Sequence, residues 1–281
     1  GGSETVDSVS GSGAIQLNTG SLTLDSGASA ISGVISGTGS LTVTGTSVTT
    51  LTGVNTATGA TNVTGGTLNI TGAGSVASTA VNVSSGTLTT DSDALGAGTT
   101  VAVSGTGTFT SSGTDSFAAL TQSGGTIDGS GVLTLSGAFT QSGGTTGGTV
   151  DINSATFTQS GGAVIAAGTT VTSTGAQSLQ GGTIAGNLDG AGAITAASGT
   201  TDITGTVTNA SGLTVSGGTV NVTGAGTVDT SGNLITISSG TLATDTDALA
   251  NNETVSISGG SYNVSGTDTI AALTQSGGVV D

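Results

Sequence analysis

From Gly66 onward a glycine, usually preceded by Ser or Gly and followed by Thr or another small or apolar residue, returns every seventeen to twenty-two residues. The marking glycines are Gly66, Gly86, Gly105, Gly125, Gly144, Gly162, Gly182, Gly199, Gly218, Gly240, Gly260 and Gly278. A period near nineteen is too long for one strand of a hairpin and too short for a domain, but it suits one turn of a stacked coil. A longer repeat underlies it. GTLNITGAGSV at 66–76 returns as GTVNVTGAGTV at 218–228, SGTLTTDSDAL at 85–95 as SGTLATDTDAL at 239–249, and TDSFAALTQSGG at 114–125 as TDTIAALTQSGG at 267–278. With ISGVISGTGSLTV at 31–43 and IAGNLDGAGAITA at 184–196, the four offsets are 153, 152, 154 and 153, so an insertion in one turn is compensated in another. The expected organisation is one continuous solenoid over 1–281, with super-repeats at approximately 1–153 and 154–281.

Between the marks, apolar and polar residues alternate strictly in short runs: Leu41-Thr42-Val43, Leu68-Asn69-Ile70, Val81-Asn82-Val83, Val220-Asn221-Val222, Ile235-Thr236-Ile237. Period-two alternation bounded by Gly and Ser signals strands with one buried face and separates this chain from a flexible Gly/Ser linker. Helix is disfavoured, because glycine at this density costs about 1 kcal/mol at each interior position. Asp115 to Thr121, where Ala118, Ala119 and Leu120 cluster, leaves room for one short helical turn. Stacking would place Leu68, Leu88, Ile127, Val164, Ile184, Val220, Leu242 and Tyr262 in an inward column with parallel strands bonded turn to turn. The column has gaps at Gly107, Thr146 and Thr201, which Phe109 and Ile203 are placed to fill. Glycine at the marks provides open backbone for the corners. The fold class expected is all-β, a parallel β-helix with coils of about nineteen residues.

The strings SETVDSVSGSGAIQLNTGSLTL (3–24), ISGVISGTGSLTVTG (31–45), ATGATNVTGGTLNITG (57–72) and DALGAGTTVAVSGTGTF (93–109) resemble the strand repeats of bacterial autotransporter passengers and related large adhesins. The likeness covers nearly the whole chain. It implies a right-handed parallel β-helix displayed outside a bacterial cell, serving adhesion, cell contact or a surface layer. GGSETVDSVS does not resemble a signal peptide, and neither a membrane barrel nor a cap is recognisable, so the chain is expected to be an internal length of a longer protein. Exposed coil ends would favour end-to-end association. Fifteen coils would give a rod of roughly 70 Å with a super-repeat of about 38 Å.

Composition narrows function by subtraction. The 281 residues include no Lys, Arg, His, Cys, Pro, Met or Trp; all sixteen ionisable side chains are acidic, for a formal charge of −16. No cation exists to neutralise phosphate, which argues against nucleic acid and anionic membranes as partners and against direct membrane insertion of this segment. Trypsin has no cleavage site, and no disulfide can form. Without His, Cys or Lys the usual general bases and nucleophiles are missing, and a polysaccharide lyase would lack its cationic group. A glycosidase needs two carboxylates at a set separation. The close pairs, Asp91 with Asp93 and Asp245 with Asp247, occupy equivalent places in the two super-repeats, and duplication favours a repeated structural turn. Asp-Ser-Asp and Asp-Thr-Asp also offer calcium-type oxygen ligands, but about six to eight are needed and the calcium-roll nonapeptide is absent; turn-forming Asp that caps its own loop before Ala-Leu is the better account.

Seven Asn-X-Ser/Thr triplets, at Asn62, Asn69, Asn82, Asn209, Asn221, Asn252 and Asn263, arise naturally from an Asn/Thr/Val alternation. An ice-binding Thr face would demand nearly constant coil length, against steps of seventeen to twenty-two. The expectation is therefore a non-catalytic structural or adhesive segment of a long bacterial surface or secreted repeat protein, a stalk, filament or layer. It self-associates end to end or side by side and meets host, cell or matrix surfaces. A carbohydrate-active or ligand-binding β-helix and an ice-binding solenoid stand as alternatives. No catalytic, cofactor-binding or metal-ligating residue is assigned.

Overall fold

The computed structural model describes residues 2–281, and every regular element in them is a β-strand. The strands form a parallel β-solenoid of about 15 turns spaced about 19 residues apart. The chain divides into two compact units, Gly1–Gly137 with Thr149–Asp151, and Ala138–Gly148 with Ile152–Asp281. Each is built the same way.

A turn has two regular faces and a shorter third. In the first unit Ser21–Leu24, Ala28–Ile31 and Ile35–Ser36 make one turn, and Ser40–Val43, Val48–Leu51 and Val54–Asn55 the next. Along the first face Leu22 pairs with Leu41 and Leu24 with Val43, and the ladder continues from Val63 to Val83 and Val103. Because the side-chain period of a strand is two, the alternation read in the sequence becomes an alternation of buried and half-buried positions. Leu24, Val43, Leu68, Ile70, Val83 and Leu88 have no exposed surface.

The second face of the first unit carries the expected column: Leu68 pairs with Leu88, Leu88 with Phe109, and Phe109 with Ile127. Phe109 thus fills the turn marked by Gly107. In the second unit the column departs from expectation in two ways. Val164 is half-buried and pairs with Thr183, while Ile165 takes the inward place over Ile184. The corner there turns at Gly161, with φ of 63°, and takes in the buried Ala163, which moves the inward position on by one. Ile184 then lies under Ile203 and not under Val220, because Gly182 is in register with Thr201. Two inward columns therefore run side by side, one through Ile165, Ile184, Ile203 and Val222, the other through Thr201, Val220, Leu242 and Tyr262.

The stretch from Asp115 to Thr121 is strand, Thr114–Phe117 followed by Ala119–Gly129, and not a helical turn. Asp115, Phe117 and Leu120 all point inward, which a helical turn would not permit. Eight of the twelve marking glycines have positive φ; Gly86, Gly162, Gly218 and Gly240 do not. Gly66, at φ 60°, meets both demands at once, since a Cβ there would also collide with the Ser47 carbonyl oxygen. At Gly86 the demand is closeness alone: a Cβ would lie 2.5 Å from the Gly65 carbonyl oxygen.

Candidate functional site

Six of the sixteen acidic side chains lie at two equivalent corners. In the first unit strand Thr87–Thr90 runs into Asp91-Ser92-Asp93, and Asp93 adopts φ of 58°, a left-handed conformation that Asp tolerates through local hydrogen bonding. The Asp91 Oδ2 accepts the Gly72 N–H at 2.6 Å, and the Asp93 N–H donates to the Thr114 carbonyl at 2.9 Å. The Ala-Leu that follows is held by Asp115, one turn later. Its Oδ1 accepts the N–H groups of Ala94 and Leu95 at 2.8 and 3.1 Å, and its Oδ2 accepts the Thr90 hydroxyl at 2.8 Å. Asp115 is fully buried. Burial pushes its carboxyl above the usual carboxylate value, the bonds from Thr90, Leu95 and Ala94 pull it back, and nearby Asp93 adds to the rise.

The second unit repeats the arrangement. Asp245 Oδ2 accepts the Gly224 N–H at 2.6 Å, Asp247 has φ of 56°, and Asp268 Oδ1 accepts Ala248 N–H at 2.7 Å and Leu249 N–H at 3.1 Å. Here the Tyr262 hydroxyl, at 3.3 Å, takes the place of Thr90 as the second donor. Burial pushes that hydroxyl up to about 12. The close pairs singled out in the sequence are therefore turn residues, but they do not cap their own loops. Asp91 and Asp245 each reach back one turn, and the amides of Ala-Leu are capped from the turn ahead. Sequence reasoning missed Asp115 and Asp268, although Thr114-Asp115-Ser116 and Thr267-Asp268-Thr269 recur at an offset of 153. Among the described residues no three acidic side chains come close enough to hold a metal ion.

Other buried polar groups do the same work elsewhere. Asn55 Oδ1 accepts the Ile35 N–H at 2.8 Å while its Nδ2 donates to the carbonyls of Gly53 and Ser75, both at 3.0 Å. Glu253 accepts the N–H and hydroxyl of Thr230, and burial raises its carboxyl against those bonds and with the help of Asp229. In the second unit Gln159 Nε2 donates to Gln141 Oε1 and to the carbonyls of Ala163 and Thr183, beside Phe139 and Phe157 stacked at 5.3 Å between ring centroids. Each of these contacts links one turn to a neighbour or closes a corner.

The outward side of the first face in the second unit is a run of hydroxyls. Thr140, Thr158, Ser178, Thr195, Thr214, Thr236, Ser256 and Thr274 stand in direct register, one per turn. The step from Ser178 to Thr195 is seventeen residues and that from Thr214 to Thr236 is twenty-two, so unequal turn length does not disturb the face. An open groove of the same unit holds two carboxylates and is lined by Thr227, Asp229, Asp247, Leu249, Ala250 and Asn251.

Comparison with protein-family models, with curated proteins and with solved structures finds no match to this chain.

Proposed function

We propose that the chain is a non-catalytic structural and adhesive length of a bacterial cell-surface or secreted repeat protein, of the kind its strand repeats resemble. One observation carries this reading: at two duplicated corners four carboxylates are tied to backbone amides of adjacent turns. Asp91, Asp115, Asp245 and Asp268 each accept at least one such amide. A duplicated bond to backbone serves the stack, whereas a catalytic pair would face a shared space. An extracellular setting fits a chain that offers trypsin no Lys or Arg.

Display of the chain on the surface of a bacterial host, between an anchor and a fluorescent tip, tests the proposal. The expected result is a tip held away from the envelope together with increased cell-to-cell aggregation. A tip that stays at the envelope, with no change in aggregation, would refute it.

The groove containing Asp229 and Asp247 favours one second reading, a carbohydrate-active β-helix. It predicts release of reducing ends from a polysaccharide substrate, abolished by Asp229→Asn or Asp247→Asn.

A further inference from the structure

We propose that the hydroxyl face of the second unit is the surface through which two copies of this chain lie side by side, with Leu234 of one copy seated over Gly212 of the other. The proposal rests on the surface-repeat reading above and names the face that serves it.

Three observations lead there. The first is where charge is absent. None of the eight strands whose outward hydroxyls run from Thr140 to Thr274 contains an acidic residue. The other acids of the unit are Asp189, Asp202 and Asp229 on the other two faces, Asp245, Asp247 and Asp268 at a corner, Asp281 after the last strand, and Glu253, which precedes strand Thr254–Ile257 but is buried with its carboxylate bonded to Thr230. In a chain of formal charge −16 with no cation, two copies can meet closely only where carboxylates do not face one another. The second observation is a knob. Leu234 starts strand Leu234–Ile237, points outward on this face and is 43% exposed, the one large apolar side chain so exposed among these hydroxyls until Leu273 near the last turn. The third is a hollow beside it. Leu213 pairs with Ile235, so the position next to Leu234 one turn earlier is Gly212, which has no side chain.

Knob and hollow one turn apart on the same face are self-complementary. A two-fold axis between the two turns places each Leu234 over the partner's Gly212, an isologous contact. Hydroxyl rows of identical spacing on the two copies then stay in step along the face. On that axis the six strands from Ser178 to Thr274 overlap, and at 4.8 Å by four residues at 3.3 Å they give about 380 Å² on each side, or about 760 Å² in all, below the size of a stable specific contact. The association is accordingly weak, and salt strengthens it by screening the carboxylates that flank the face.

Sedimentation velocity over a concentration series, at physiological and at molar salt, is the test. The parent chain should dimerise, more strongly in high salt. The set Thr195→Asp, Thr214→Asp and Leu234→Asp should weaken dimerisation by at least about tenfold, and the neutral Leu234→Ser should weaken it without added charge, which keeps the test open if the triple variant loses its far-ultraviolet β signal. A control set of equal charge on another face, Thr183→Asp, Thr219→Asp and Thr241→Asp, should behave like the parent. A parent that stays monomeric in molar salt overturns the proposal. So does dimerisation lost in the control set and kept in the hydroxyl-face sets, which would move the contact to another face. The surface-repeat reading is decided separately, by whether the displayed chain holds its tip away from the envelope.

Discussion

The buried Asp115 carboxylate accepts the N–H of Ala94 at 2.8 Å, across twenty-one residues of sequence, and thereby joins a corner of one turn to the strand of the next. Leu95 and Thr90 donate to the same group. Asp115→Ala would leave two buried amides and a hydroxyl without their acceptor. The expected loss is about 2–4 kcal/mol, measured by denaturant unfolding. Asp268→Ala should cost less, because Asp268 is only half-buried. Equal losses at the two sites would show that burial does not set the strength of the clamp.

Acid should stabilise this protein. Burial holds the carboxyls of Asp115 and Glu253 above their ordinary values of 3.8 and 4.5. A group whose folded value is raised binds protons more readily when folded, so its stabilising contribution is complete below the ordinary value and is lost as pH rises through the folded value. No Lys, Arg or His supplies an opposing trend, and mutual repulsion of the carboxylates acts in the same direction. The melting midpoint is expected to rise as pH is lowered from neutral to about 4, and Asp115→Asn should flatten part of the slope. A midpoint that falls over that range would contradict the burial of these groups.

Two glycines in similar backbone conformations separate strain from crowding. Gly66 and Gly72 have φ of 60° and 68°, but an added Cβ collides with the Ser47 carbonyl oxygen at Gly66 and meets nothing within 4 Å at Gly72. Gly72→Ala should cost about 1–2 kcal/mol for the left-handed backbone alone. Gly66→Ala should cost clearly more, read as a lower thermal midpoint.

Calcium should leave the melting midpoint unchanged beyond the effect of ionic strength, because no cluster of three acidic side chains lies among the described residues to complete a coordination shell around Asp91 or Asp245. A midpoint that rises at low calcium and saturates would reveal a site at these corners.

Most of the fold was legible because stacking makes the same demand of every turn. A buried face requires period-two alternation, a corner requires glycine, and Leu68, Leu88 and Ile127 fall into one ladder as their spacing implies. The register of the second unit was not legible, since whether Gly161 or Gly162 turns the corner decides if Val164 or Ile165 points inward, and both glycines suit a corner. The acidic corners were visible as residue pairs, but their bonds were not. Asp115 lies more than twenty residues from the Asp91–Asp93 pair, and its role depends on which turn lies beside it. The uniform hydroxyl face was obscured for a different reason. Steps of seventeen to twenty-two residues suggested that no flat surface could persist, yet the corners absorb the variation.

That tolerance at the corners uncouples chain length from axial advance. A turn of seventeen residues and one of twenty-two each move the stack on by a single strand spacing, since both return to the same ladder position at Thr195 and Thr236. Duplication or unequal recombination within such a gene can therefore add or remove whole coils of mismatched size, and the product still joins without a seam, provided that the breakpoints fall between equivalent strands.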